Sequence, residues 1–258
     1  MPIPTRTIPE YRFSYVPDYF VDGAEAAKTC LDFKLTAQPN LGLLERAYDN
    51  DNAPELARGD GPWAQFSRRI EWLNTNIPYG VSYKLLYLLR HGLSVHNIVM
   101  AKVGRDAWNG YWSHLEGDGE LTWVDARLTE DGIKPSRTSR RPLDTLYTSP
   151  LARYLETTKL VYEPVMAKRG ESLDQYSKLL RERLTNHTCD KRSTRAHDLY
   201  ETNHEHVARK RRLLADIFAN DKATFVSLTT HSCAISAVLG RAVLPLLVKA
   251  EEAVGERA

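Results

Sequence analysis

The chain has 258 residues, 42% of them hydrophobic, and a formal net charge of +2. That length supports one substantial core, and the near-neutral balance excludes a strong field drawing the whole molecule to nucleic acid or membrane. The three cysteines, Cys30, Cys189 and Cys233, form no C-x-x-C and read as free thiols of a reducing compartment.

In chain order, "MPIPTRTIPEYRFSYVPDYF" carries prolines and charges and no apolar h-region, so no signal peptide is expected. No apolar run approaches the length of a membrane span. A cytoplasmic protein is the expectation. Residues 1–60 read as an irregular arm packed on a domain of residues 61–258, with a short helix near "DGAEAAKTCLDF". In "GPWAQFSRRIEWLN", Trp63, Phe66, Ile70 and Leu73 recur at helical spacing. "SYKLLYLL" is short, apolar and turn-bounded, as a strand buried on both faces would be. "SVHNIVMAKVG" follows as a helix, with Ser94 as N-cap and Gly104 as its stop.

The alternation then repeats. "LDTLYTS" reads as a strand and "ARYLETTKLVYE" as a helix. "HEHVARKRRLLADIFAN" is a helix, "ATFVSLTT" a strand, "SCAISAVLGR" a helix and "VLPLLVKA" a strand. Strands alternating with helices predict an α/β fold: a three-layer α/β/α sandwich around a mostly parallel sheet.

Three strand ends share one character. The first runs into Arg90-His91, the second into "TSPLAR" with Arg153, the third into His231. In open α/β sheets, ligands bind beyond the carboxyl ends of the strands, where helix N-termini favour an anion. Two histidines and two arginines converging there fit a phosphate, because the guanidinium fork matches its oxygens.

These residues resemble the histidine phosphatase superfamily, also called phosphoglycerate-mutase-like, in its fungal phosphomutase-like branch. "LLRHGLSVHN" matches the Arg-His-Gly signature, "LTEDG" the loop before the second helix, and "YTSPLARYLETT" the Ser-Pro-Leu-x-Arg element. "LLRERLTNHTCDKRS" matches the acid-bearing segment and "TTHS" the second histidine. The resemblance covers about residues 60–250. It implies His91 as a nucleophile that becomes phosphohistidine, Arg90, Arg153 and His231 as holders of the phosphoryl oxygens, Asn97 as a further donor, and Glu182 as the proton donor. Glu156 is the alternative acid. The implied activity is phosphatase action on a small-molecule phosphomonoester, with no cofactor and no metal. A phosphoglycerate-type mutase and a non-catalytic phospho-ligand binder are the competing readings. No nucleic-acid or membrane partner is expected, and the sequence leaves the oligomeric state open.

The chemistry fits those roles. A neutral imidazole attacks phosphorus in line and splits one hard hydrolysis into two steps. Its second nitrogen needs an acceptor, often a backbone carbonyl, to fix the tautomer. Fixed donors stabilise the equatorial oxygens, and a carboxyl protonates the leaving group.

One departure concerns "GIKPSRTSRRPLDTLYTSP", which holds two prolines and a basic cluster and is too short for the family's covering helix. A compacted but folded enzyme is expected. Elsewhere, Cys189, His204 and His206 match no closed zinc spacing, so solvated polar surface is expected there. "RKRR", Arg209 to Arg212, reads as a solvated basic face, with Val207, Leu214 and Phe218 as the apolar side of the helix. "WNGYWSHLEGDGELTW" is either a packed loop or a wall that shapes substrate choice.

Overall fold

The computed structural model describes residues 9–21, 39–48, 61–134, 143–170, 177–191, 201–239 and 246–253. Five strands form one sheet: β1 (Tyr11–Tyr15), β2 (Val81–Arg90), β3 (Thr145–Thr148), β4 (Phe225–Thr230) and β5 (Leu246–Glu252). Their order is β1-β5-β2-β4-β3. The helices are α1 (Pro62–Thr75), α2 (Val95–Val103), α3 (Arg105–Gly110), α4 (Glu130–Ile133), α5 (Ala152–Arg169), α6 (Asn203–Asn220) and α7 (Ser232–Leu239). None is long and apolar enough to cross a membrane.

The central strand shows why both faces are covered. Successive side chains of a strand point to opposite faces. Leu86 and Leu88 enter a core with Leu213, Leu214, Ile217 and Phe218 of α6. Leu85 and Tyr87 enter a second core with Phe66 and Ile70 of α1, joined by Tyr19, Phe20 and Leu43. An uninterrupted apolar run is therefore what this strand needs.

The sheet is mixed, which corrects the mostly parallel expectation. β2 pairs in parallel with β4, and β4 with β3. β5 starts beside Leu86 and runs back along β2 to Val81, antiparallel to it, and β1 pairs antiparallel to β5. A strand's apolar pattern carries no direction, so composition did not reveal the reversal.

Near the start of residues 1–60, read from the sequence as an irregular arm, "YRFSY" forms the edge strand. Tyr11, Phe13 and Tyr15 turn inward against the α6 core, while Arg12 and Ser14 face out. The rings of Tyr11 and Phe13 lie 6.4 and 5.5 Å from that of Phe218. The short helix expected near "DGAEAAKTCLDF" lies outside the described residues.

Helix boundaries follow local chemistry. Ser94 caps α2 through a capping box with Asn97, and Gly104, at φ 86°, ends it. Thr202 and Glu205 form the same box on α6. α5 runs beyond the expected Glu163, through Pro164 to Arg169, and stops at Gly170 in the left-handed region. After "LTEDG" the helix α4 has four residues, and residues 135–142 lie outside the described set.

Phe66 is fully buried, with the rings of Phe20 and Trp63 5.3 and 5.9 Å away. Phe66→Ala leaves a cavity that costs about 3–5 kcal/mol. Urea unfolding will show a lower midpoint at unchanged slope. An unchanged midpoint would remove this residue from the core.

Candidate active site

β2 and β4 end side by side. Arg90 pairs with Thr230, so His91 and His231 are the next residues on adjacent parallel strands. Their rings are 4.8 Å apart. β3 pairs with the other edge of β4 and leads through Ser149 and Pro150 into α5, whose second residue is Arg153. Topology alone thus delivers three of the expected residues to one place.

His91 is 5% exposed. Its Nδ1 lies 2.7 Å from the Gly92 carbonyl, which can only accept, so the proton sits on Nδ1. Nε2 carries the lone pair and has no hydrogen-bond partner among the described residues. Burial holds the imidazole well below its ordinary value of 6.5, and His231 and Arg153 add to the effect. The ring is neutral at pH 7.

The turn after His91 is held by a close backbone approach. The Leu93 carbonyl accepts from the Thr129 N–H at 2.9 Å and from its hydroxyl at 3.1 Å. A Cβ on Gly132 would stand 2.0 Å from that carbonyl, and one on Gly92 would stand 2.7 Å from the Gly132 carbonyl. The glycine of "LTEDG" therefore lets this loop brace the His91 turn.

Arg153 is fully buried. Its guanidinium donates to the Cys189 carbonyl and to Asp190 Oδ1, both at 2.8 Å, and to the Tyr154 hydroxyl at 3.2 Å. The same Nη2 stands 3.1 Å from His231 Nε2. A nitrogen facing a guanidinium N–H accepts, which leaves the His231 proton on Nδ1. That atom is 2.8 Å from Glu182 Oε2.

Glu182 is 7% exposed. Burial raises its pKa, but the His231 ring and the Arg183 N–H outweigh that and hold it at about 2. Residues from α6 fix its segment. Arg209 donates to the carbonyls of Leu179, Arg181 and Glu182, each at 2.9 Å. It also grips Glu201 at 2.6 and 2.7 Å. Lys210, fully buried, donates to the carbonyls of Leu179 and Arg181 at 2.7 and 2.5 Å. Half of "RKRR" is therefore a clamp, which corrects the solvated-face expectation; Arg211 and Arg212 are the exposed half. Val207 also faces outward, and Leu213 and Ile217 join Leu214 and Phe218 on the apolar side.

The other expected residues are placed differently. Arg90 is partly buried at the end of β2, near enough to depress His96 electrostatically. Asn97 serves the α2 cap: its Oδ1 accepts from the Ser94 N–H and hydroxyl at 3.1 and 2.9 Å, and its Nδ2 is 3.1 Å from His96 Nε2. Glu156 pairs with Arg127 at 2.7 Å and accepts from the Leu128 N–H. His206 contacts Glu201 at 3.2 Å, and His204 is exposed, so neither joins Cys189.

Three site residues had no assigned role. His96 is buried, 5.6 Å from His91 and 6.3 Å from His231 between ring centroids. The Tyr154 ring stands 5.1 Å from His91. Asp190 anchors Arg153. The adjacency of His96 to Asn97 and the "HTCD" string were the available signals. The tryptophan-rich loop packs as a small core in which Trp108 and Trp123 meet Val99 and Cys189, and Trp108 lies 6.4 Å from His96.

The chain is 34% identical to a probable phosphoglycerate mutase of Arthroderma benhamiae, over 95% of this chain and 86% of that protein. It belongs to the histidine phosphatase, phosphoglycerate-mutase-like superfamily. A probable phosphoglycerate mutase of Saccharomyces cerevisiae is 37% identical to this member over 43% of each chain. A solved α-ribazole phosphatase of Shigella flexneri superposes on 59% of this chain and 76% of its own, with a TM-score of 0.41 and 16% identity. No protein-family model matches.

The buried groups set the acid response of this superfamily member. His91 and His96 have lowered folded pKa values, so the unfolded chain takes protons first as pH falls through 6.5, and stability drops there. Glu182 and Glu201, held at about 2 against an ordinary 4.5, contribute stability above 4.5 that is lost as pH falls toward 2. Thermal melts will therefore show Tm falling in two stages. His91→Asn will shrink the first stage and spare the second. A Tm that stays flat down to pH 5 would contradict the neutral, buried imidazoles.

Proposed function

We propose that the protein hydrolyses a small-molecule phosphomonoester through a phosphohistidine on His91. The observation that carries this reading is the His91 ring itself. Its Nδ1 is tied to a carbonyl, its Nε2 is free to react, and a second imidazole and a buried guanidinium stand beside it.

The phosphoryl group sits between His91 and His231. Arg90, Arg153 and Asn97 Nδ2 donate to its oxygens, and the substrate's own proton passes to His231 Nε2, which then donates as well, while the His231 Nδ1 proton moves to Glu182 Oε2. Nε2 of His91 forms a bond to phosphorus as the ester P–O bond breaks in line. Glu182 gives the leaving alkoxide the proton it took from His231 Nδ1. Water then attacks the phosphohistidine and returns a proton to Glu182, and inorganic phosphate departs. Every step uses this chain's own side chains, without a metal.

The mutase reading draws on the name given to the Arthroderma benhamiae relative. It requires the same phosphohistidine and differs in passing the phosphoryl group back to the substrate. Release of free phosphate separates the two. A non-catalytic binder would need no reactive Nε2, which disfavours that reading.

His91→Ala will lose p-nitrophenyl phosphate hydrolysis by on the order of 10,000-fold while the wild type releases free phosphate. Equal release by both proteins would reject the proposal. Glu182→Gln will slow alkyl phosphates by roughly 100-fold or more and p-nitrophenyl phosphate much less, because a good leaving group needs no acid. Equal slowing of both would remove Glu182 from the proton step. Dialysis against EDTA will leave hydrolysis intact; its loss, restored by a divalent cation, would contradict the metal-free scheme.

A further inference from the structure

Two side-chain clusters among the described residues bring metal-ligating atoms within 4.8 Å of one another: His91, His96 and His231, and, separately, His187, Cys189 and Asp190. The first is the pocket already described. Arg153 stands against it, 3.1 Å from His231 Nε2, and none of the three side chains brings a negative charge. The second also meets Arg153, at Asp190 Oδ1 2.8 Å away, but it holds acidic groups. A thiol and a carboxylate can each bring a negative charge, and His187 brings an imidazole.

We propose that His187, Cys189 and Asp190 form a binding site for a thiophilic divalent cation of the Zn2+ class. The donor set is a mixture of sulfur, nitrogen and carboxylate oxygen, which zinc accepts and magnesium or calcium does not. Cys189 and Asp190 are held in place through the Cys189 carbonyl and one Asp190 carboxylate oxygen. They sit in a single 3-10 turn, Thr188–Asp190. Arg153 grips the Cys189 carbonyl and Asp190 Oδ1. The Thr188 hydroxyl donates to the Leu115 carbonyl and lies 3.2 Å from that of Ser113.

The cysteine itself supplies the second argument. It is 3% exposed, and its thiol and an Asp190 carboxylate oxygen lie within 4.8 Å of each other, close enough to share one cation. On binding, the S–H proton passes to solvent and a metal–thiolate bond forms. His187 is half-buried and His114 is exposed. The rings of these two are 6.1 Å apart, so a fourth donor stands close by. The site lies directly behind Arg153, and an occupant would share Asp190 with that guanidinium. It does not depend on the phosphatase reading.

The test uses Co2+ as a spectroscopic substitute for Zn2+. The folded wild-type protein will develop a near-ultraviolet thiolate-to-cobalt charge-transfer band. Cys189→Ser will lose that band and Cys233→Ser will keep it. The three-imidazole pocket contains no sulfur, so it cannot supply the signal. His187→Ala, at a half-exposed position, will weaken Zn2+ binding at least about tenfold by calorimetry, and it decides the matter if Cys189→Ser does not fold. No band in folded wild type, a band that survives Cys189→Ser, or unchanged Zn2+ affinity in His187→Ala would overturn the proposal.

Discussion

The in-register parallel pairing of β2 with β4 is the constraint from which the site follows. Each residue from Leu85 to Arg90 faces its counterpart from Phe225 to Thr230. The two strands therefore end level, and the next residue on each is a histidine. A slip of one residue would turn every side chain of a strand to the opposite face. Here that would also exchange the two cores, since alternate β2 residues belong to different ones. Packing on both faces thus guards the register, and the register places His91 opposite His231.

Charge is managed by the same architecture. A buried guanidinium is costly unless paired and hydrogen-bonded. Arg153 meets that cost through Asp190, a carbonyl and a tyrosine hydroxyl. Burial first, and then its positive charge, hold the pKa values of His91 and His96 well below the ordinary imidazole value. The carboxylate of Glu182 is kept ionised by the His231 ring and then by the Arg183 N–H, in a segment that Arg209 and Lys210 hold. The result is a rim of donors around a reactive nitrogen, with each nearby carboxylate already engaged.

Much of this was legible in the sequence because strand ends leave a mark. An apolar run ending in Arg90-His91, and another ending in His231, announce their positions without a coordinate. Strand direction leaves no such mark, which is why β5 and the mixed sheet were not foreseen. β1 did have a signal: Tyr11, Phe13 and Tyr15 alternate with Arg12 and Ser14, but flanking prolines masked the period. The clamp formed by Arg209 and Lys210 was hidden for a different reason. A basic cluster on a helix looks solvated until a loop distant in sequence lays its carbonyls across it. The Cys189 cluster was missed because the sequence drew attention to His204 and His206, whereas His187 is the neighbour in space.

The most direct test is to quench the enzyme during turnover of a phosphorus-labelled monoester and map the label by peptide mass spectrometry. The account predicts an acid-labile, base-stable phosphate on the peptide containing His91. A label on any other residue, or none on a protein that is visibly turning over, would contradict it.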